Sequence, residues 1–419
     1  MRKILVISNN SFSNTNSNGR TLGNLFYSYE KDKIAQFFIS GEKDFSFCNN
    51  YFQVSDSDVI RSVVPKFFFK KRKQTGEQSV AAVTKSSRNV PNMLLRTFAW
   101  DLGLWKRKEY KQWLKDFSPE VVLLQVGDCP FMFRIAMQVA RKFHAKLIVY
   151  NTEGYIFKKH NYFRDGHNVL YSIFIGLYKR RFKKIMANTE HCIYLNQKLK
   201  DDYDQIFNVL SSVIYNSSSI DSMECVPFDK PTISYIGNLG LSRDVALTEI
   251  ADVAAEQGLE INVYGKASEQ TKALFKQHPA IHYHGFISYD DVIKVMQRST
   301  ILLHVESFDP FYVVDSKYGF SGKIADSLSS GRAFLMYCPK EIACAEYIVG
   351  NGIETVADSK EGISILLKQY SAYNDDYKAL VSKQLLLAKE NHDLKDNSER
   401  FVEIINRDHL EALHESTAN

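Results

Sequence analysis

The stretch Tyr318-Gly-Phe-Ser-Gly-Lys-Ile-Ala-Asp-Ser-Leu-Ser-Ser-Gly331, followed by Arg332-Ala-Phe-Leu-Met-Tyr337, constrains this chain more than any other. A glycine-bearing loop leads into an amphipathic segment with apolar positions at Ile324, Ala325 and Leu328, Gly331 sits where a helix stops, and an apolar run follows. Loop, helix and strand in that order belong to an α/β fold. The helix start joins Lys323 to backbone N–H groups at the positive end of a helix dipole, a combination that attracts phosphate. Asp326 follows one turn on, on nearly the same face, where a carboxylate can accept from ribose hydroxyls. Diphosphate and ribose together describe a nucleotide sugar.

At 419 residues, 45% of them hydrophobic, the chain can build two cores. Its six cysteines, Cys48, Cys129, Cys192, Cys225, Cys338 and Cys344, lack metal-ligand spacing, which leads us to expect free thiols in a reducing compartment. The run Ile4-Leu-Val-Ile-Ser8 is too short for a signal-peptide core and reads as a first strand. With no apolar stretch of membrane-spanning length and a net charge of only +5, a cytoplasmic globular protein is expected, with information only in local charge clusters.

Taken in order, the first strand ends in a polar loop over residues 9–20, and an amphipathic segment covers 21–29. Gly19 in that loop suits either the close approach of a ligand phosphate or an ordinary turn. Residues 34–39 and 59–64 alternate like strands. Lys66-Phe-Phe-Phe-Lys-Lys-Arg-Lys73 then sets three phenylalanines among five cations, which suits either an anionic membrane surface or a strand beside a solvated basic loop. Val121-Val-Leu-Leu-Gln-Val126 reads as a buried parallel strand, with a helix over 130–143 and a strand over 146–150 completing a βαβ unit. Ligands lie beyond the carboxyl ends of such strands, which turns Asp128 and the 151–154 turn, with Glu153, toward a cleft; Asp128 also suits a helix cap ahead of Pro130. Val169-Leu-Tyr-Ser-Ile-Phe-Ile-Gly-Leu-Tyr178, bracketed by Lys158-Lys159 and Lys179-Arg-Arg181, is too short to span a bilayer and reads as a core helix or one lying in a membrane surface. Strand-like residues 185–195 and 212–215 close the first domain, and a hinge is expected over 216–230. Strands over 232–239, 261–265, 281–287 and 301–306, alternating with helices, give a second doubly wound sheet. His282, His284 and His304 read as pocket or core residues, because no cysteine or carboxylate set stands at ligand spacing. Helices are expected over 361–370, 377–390 and 397–413.

The 318–331 stretch resembles the signature of retaining nucleotide-sugar glycosyltransferases of family 4, in which a Glu-Gly-Phe-Gly loop precedes a helix bearing a second Glu eight positions on. Gly319-Phe320 match the Gly-Phe pair, Asp326 takes the second Glu and Ser330-Gly331 match the Ser-Gly end, while Tyr318 replaces the first Glu, which in the family binds the donor hexose. The resemblance covers the second half of the chain and the first half in layout. It implies the GT-B architecture: an acceptor domain over 1–215, a donor domain over 216–396, the two facing across a cleft, and a helix over 397–419 returning to the first domain. It also implies Gly19 and Arg20 against the donor diphosphate and Glu153 near the acceptor, with Asp128. Where the family has Arg and then Lys five positions later, this chain has Asn238 and Arg243, so one cation is kept and Lys323 stands in for the other. The donor set is then Asn238, Gly265, Gly285, Phe286, Glu306, Tyr318, Gly319, Phe320, Ser321, Gly322 and Asp326, and the catalytic set Lys323, Arg243 and Glu153.

The activity implied is transfer of a sugar from a nucleotide-diphosphate sugar to a glycan or lipid-linked acceptor, with retention and in cell-surface polysaccharide synthesis. Fixed cations replace a metal in stabilising the leaving diphosphate, so no metal or other cofactor is expected, and no Asp-x-Asp motif occurs. Expected partners are the donor, the acceptor and an anionic membrane surface, with no nucleic acid, on the inner face of the cytoplasmic membrane. A nucleotide-sugar epimerase and a non-catalytic nucleotide-sugar-binding subunit are the competing readings.

Overall fold

A computed structural model describes residues 1–13, 17–63, 89–158, 160–218, 220 and 223–407. The basic, phenylalanine-rich run from Lys66 to Lys73 lies outside the described residues. The chain forms two compact units, one of Met1–Leu195, Leu199–Ile214 and Ser398–Asn419, the other of Asn196–Lys198 and Tyr215–Asn397.

Strands of the first unit are β1 (Ile4–Asn10), β2 (Ile34–Ser40), β3 (Asn50–Gln53), β4 (Val121–Gln125), β5 (Lys146–Asn151), β6 (His191–Tyr194) and β7 (Ser211–Val213). They form one sheet in the order β3-β2-β1-β4-β5-β6-β7, every pairing parallel. Helices in this half are α1 (Ser17–Asn24), α2 (Asp56–Val63), α3 (Val90–Leu102), α4 (Lys108–Phe117), α5 (Pro130–Phe143), α6 (Asn168–Met186) and α7 (Gln197–Asp204). The second unit repeats the plan with β8 (Ile233–Ile236), β9 (Ile261–Tyr264), β10 (Ile281–Gly285), β11 (Ile301–Val305), β12 (Ala333–Tyr337) and β13 (Val356–Ala357), in the order β10-β9-β8-β11-β12-β13. Its helices are α8 (Arg243–Glu256), α9 (Glu269–Phe275), α10 (Tyr289–Arg298), α11 (Pro310–Ser316), α12 (Gly322–Ser329), α13 (Ala343–Gly350), α14 (Lys360–Tyr370) and α15 (Asp375–His392), and α16 (Leu394–Asn406) follows. Strand order reverses between β1 and β4 and between β8 and β11, and a doubly wound sheet opens a crevice at such a point, beyond the strands' carboxyl ends.

The central strands are apolar throughout because helices cover both faces: Val121 to Leu124 are all fully buried. One face of the first sheet packs Val6, Leu123 and Ile148 against Phe26 of the segment after α1, and against Phe401 and Ile405 of α16. The Phe26 ring meets Phe12 and Phe401 edge to face, with centroids 5.3 Å and 4.9 Å away. Lys146 Nζ donates to Ile404 O in the last turn of α16 at 2.9 Å and to Arg407 O just beyond it at 3.1 Å, which satisfies groups a helix end leaves open. Phe401, Ile404 and Ile405 of α16 are thereby part of the first unit's core.

Several elements differ from those expected of the sequence. Of the strand expected over 59–64, the described residues 59–63 are helical: Ser55 and Asp58 cap one another, Ser55 N–H to Asp58 Oδ2 at 3.0 Å and Asp58 N–H to Ser55 Oγ at 3.2 Å, and this reciprocal box starts α2. α1 begins at Ser17, so Gly19 and Arg20 belong to a helix and not to the loop before it. α6 runs to Met186, which leaves only His191–Tyr194 of the strand expected over 185–195. It buries Tyr171, Phe174, Tyr178 and Phe182, as a core helix does. No described helix is long and apolar enough to cross a membrane, and all six cysteines are free.

Candidate functional site

At the carboxyl end of β8 the chain turns through Gly237, Asn238 and two residues of left-handed backbone, Leu241 (φ 62°) and Ser242 (φ 57°), so that Arg243 is the first residue of α8. Asn238 is spent on the turn: its Oδ1 accepts the Gly240 N–H at 2.9 Å and its carbonyl accepts Tyr235 Oη–H at 2.8 Å. A β-carbon on Gly265 would lie 2.1 Å from the Gly237 carbonyl oxygen, so the loops after β8 and β9 touch backbone to backbone. Gly265 N–H in turn donates to Gly285 O at 2.9 Å. Phe286, just beyond, is exposed with Lys266 Nζ 4.8 Å from its ring centre.

Arg243 reaches across to Glu306, at the end of β11, and the two form a bidentate pair: Nε to Oε2 at 2.9 Å and Nη2 to Oε1 at 3.0 Å. Both side chains are largely buried. Glu306 also faces His304 Nε2 at 3.4 Å, and Cys344 Sγ lies 3.9 Å from the same nitrogen. Burial alone would lower the His304 pKa, but bonding to Cys344 and Glu306 outweighs it and raises it to about 9. For Glu306 burial pulls upward, and His304 and Arg243 together hold the carboxyl below its ordinary range. The carboxylate is thus shared by two cations at the sheet's reversal point. His304 therefore has partners, brought in from α13 and the strand end. His282 and His284 are exposed and not core residues: β10 is the sheet's edge, where they meet Glu260 at 3.0 Å and Asn262 at 2.8 Å.

α12 carries the central residues of the 318–331 signature. Ser321 is its N-cap, with Oγ accepting Lys323 N–H at 3.3 Å, and Gly331 ends the segment in left-handed backbone (φ 66°). Lys323 and Gly322 are half-buried. Asp326 is turned inward and does not share an open face with Lys323: it is 1% exposed, with Oδ1 accepting from Ser218 Oγ at 3.2 Å and Oδ2 from Tyr289 Oη at 3.4 Å. Phe320 is also a packing residue, its ring 5.4 Å from Tyr215 and 5.2 Å from Tyr347. Tyr318 is buried with the Lys317 ammonium 4.9 Å from its ring centre, and Gly319 N–H donates to Ser316 O at 2.8 Å.

In the first unit a β-carbon on Gly19 would lie 2.7 Å from Ser11 O, so the missing side chain serves close packing of α1 on the strand-end loop. Arg20 follows it in α1. Asp128 is buried at the end of β4, but the N-cap of α5 is Cys129, whose Sγ lies 3.3 Å from Asp128 Oδ1. Glu153 sits half-buried in the turn after β5, where its carbonyl accepts Tyr203 Oη–H at 3.2 Å. Sequence reasoning missed Arg96, which extends from α3 to Asp56 Oδ1 at 2.8 Å, Cys129 Sγ at 2.9 Å and Asn9 Oδ1 at 3.5 Å. Each reversal point thus holds an arginine against a carboxylate. The signal for Arg96 was its spacing, three after Met93 and four before Trp100, on the buried stripe of an apolar helix.

Among the described residues no group of three His, Cys, Asp or Glu side chains is arranged to hold a metal ion. No family model matches the chain, and no curated protein sequence matches it. Solved structures do. Anabaena HepE in complex with UDP and glucose is 11% identical with a TM-score of 0.60, over 97% of this chain and 99% of that one. A glycosyltransferase from Rickettsia africae is 12% identical with a TM-score of 0.60, over 96% and 98% of the two chains. WaaG, a glycosyltransferase involved in lipopolysaccharide biosynthesis, is 12% identical with a TM-score of 0.58, over 97% and 100%. With two parallel α/β units matched along nearly its whole length, this chain has the GT-B fold of glycosyltransferases.

Proposed function

We propose that this chain is a glycosyltransferase that takes a sugar from a nucleoside-diphosphate sugar, transfers it with retention, and needs no metal. The observation that carries the reading is α12: a serine-capped helix start bearing Lys323, which follows β11 on the carboxyl-end side of a doubly wound sheet. The likeness to HepE, a structure of which holds UDP and glucose, supports this donor class. Lys323 would meet the leaving diphosphate with the positive end of α12, while the charge of Arg243 is balanced by Glu306 and positions the loop after β8. The acceptor is a glycan, free or lipid-linked, in cell-surface polysaccharide synthesis at the inner face of the cytoplasmic membrane; the likeness to WaaG, a glycosyltransferase involved in lipopolysaccharide biosynthesis, supports the polysaccharide setting.

Incubation with a panel of labelled nucleoside-diphosphate sugars tests the assignment. Sugar transfer or slow donor hydrolysis, insensitive to chelator, is the expected result. Epimerised donor, or binding without any turnover, would replace the reading with one of its competitors. Lys323→Ala should weaken donor binding by about 1.5 to 3 kcal/mol, the worth of a charge-assisted hydrogen bond, with the melting temperature unchanged. Unchanged affinity by calorimetry would remove Lys323 from the site.

A further inference from the structure

We infer that Cys338 and Cys344, in the second unit, are a redox-active pair of thiols that peroxide converts to a disulfide, with His304 positioning the attacking sulfur. Cys338 is the residue after β12, fixed where its N–H donates to Ala357 O of β13 at 3.0 Å. Cys344 is the second residue of α13. The N-cap of that helix is Ile342, an apolar residue with no oxygen to offer the first turn, so negative charge on the sulfur meets the positive end of the helix there. The thiol of Cys338 bonds to Cys344 Sγ, and His304 Nε2 lies 3.9 Å from the same sulfur and 3.4 Å from Glu306 Oε1. A helix start, an imidazolium and a neighbouring thiol are surroundings that turn a thiol into the nucleophilic thiolate.

The other buried thiols differ. Burial pushes Cys48, Cys129 and Cys192 up, and Cys338 is raised by its bond to Cys344 and then by burial. Cys344 is held below the ordinary thiol range, by its bond to Cys338 first and, against burial, by His304. Glu306 pulls the other way, and Arg243 and Asp358 are the further charges that bear on the two sulfurs. Both sulfurs are buried, but the His304 side chain keeps 12% of its surface exposed, so the cluster meets solvent along the imidazole and admits a molecule the size of hydrogen peroxide. Cys344 Sγ attacks one peroxide oxygen; the O–O bond breaks, and the departing hydroxide takes the His304 proton to become water. Cys338 Sγ then attacks the sulfenic acid left on Cys344; the S–O bond breaks, and the second hydroxide takes the Cys338 proton. The two thiols lose two electrons as one peroxide becomes two waters. His304 ends neutral, which leaves Arg243 as the cation on Glu306. The pair is independent of glycosyl transfer, because its test reads thiols and not turnover.

Peroxide treatment of the reduced full chain, followed by alkylation in denaturant and mass spectrometry, is the direct measurement. Lys340 lies between the two cysteines, so a tryptic digest should contain a pair of peptides joined through Cys338 and Cys344 that dithiothreitol separates. Cys338→Ser should stop at a sulfenic acid on Cys344 that dimedone captures, and Cys344→Ser should give no joined peptides. His304→Gln should slow the joining by about tenfold or more at pH 7, with the difference shrinking as pH rises and the unaided thiol ionises. A role for His304 in packing alone would change the rate equally at every pH, and that result would overturn its part in the reaction. The wild-type chain needs no substitution to decide the main claim. Cys338 and Cys344 recovered as free thiols from folded, peroxide-treated protein, whether or not half-buried Cys225 is oxidised, would overturn the proposal and leave both as inert core residues.

Discussion

Arg243 and Glu306, both expected at the donor site, bind each other at the reversal point of the second sheet. The pair is bidentate and largely buried, so removing one member leaves the other charge without its counter-ion in a poorly solvated place. Glu306→Gln should therefore destabilise the second unit by about 3 kcal/mol or more in urea denaturation. Replacing both residues with apolar side chains should cost less than the sum of the single changes. An additive result would show that the two do not act as a pair. His304 gives the same site a pH signature. Its folded pKa, about 9, lies above the unfolded value, so its contribution is full below about pH 6.5 and is lost as pH rises through 9. Glu306→Gln removes one of the groups that raises that pKa and should flatten the alkaline loss of stability.

At the scale of elements, what was legible depended on how local the determinant was. α12 and its stop could be read from a few consecutive residues, because capping by Ser321 and the left-handed Gly331 are local requirements. Gly331→Ala should cost at least about 1 to 2 kcal/mol from backbone strain alone. A β-carbon there would also lie 2.4 Å from Met223 O, so an unchanged melting temperature would contradict the observed backbone. The helices α2, α3 and α4 were harder to read, and the α2 run alternates like a strand. Short apolar runs fit either period, and only the Ser55/Asp58 box distinguishes α2. The inward turn of Asp326 was beyond reach for a physical reason. Its partners, Ser218 and Tyr289, are separated from it by 108 and 37 residues, and helical spacing says nothing about which neighbours the fold will deliver. The Arg96 cluster, which draws Asp56, Cys129 and Asn9 from separate elements, was hidden for the same reason.

For the whole molecule, each unit holds a buried neutral histidine, and together they set how the protein meets acid. His191 in the first unit packs at 3% exposure with Nε2 2.9 Å from Ser212 Oγ; burial, then Lys146 and Arg407, lower its pKa to about 4. His392 in the second unit lies between Tyr347 Oη at 2.8 Å and the Asn216 carbonyl at 2.6 Å, and burial lowers its pKa to about 4 as well, against an opposing bond from Asn216. Both folded values lie below the unfolded value of about 6.5, so the unfolded chain binds these protons first. Stability is then full above pH 6.5 and falls as pH drops toward 4, by about 2 kcal/mol per histidine at pH 5. Calorimetric scans should show unfolding temperatures lower at pH 5 than at pH 7. Because carboxylates also titrate below pH 5, the discriminating comparison is with His191→Gln and His392→Gln, which should each lose stability at pH 7 yet show a shallower fall from pH 7 to 5. Parallel pH profiles for wild type and both variants would show that the acid sensitivity lies elsewhere.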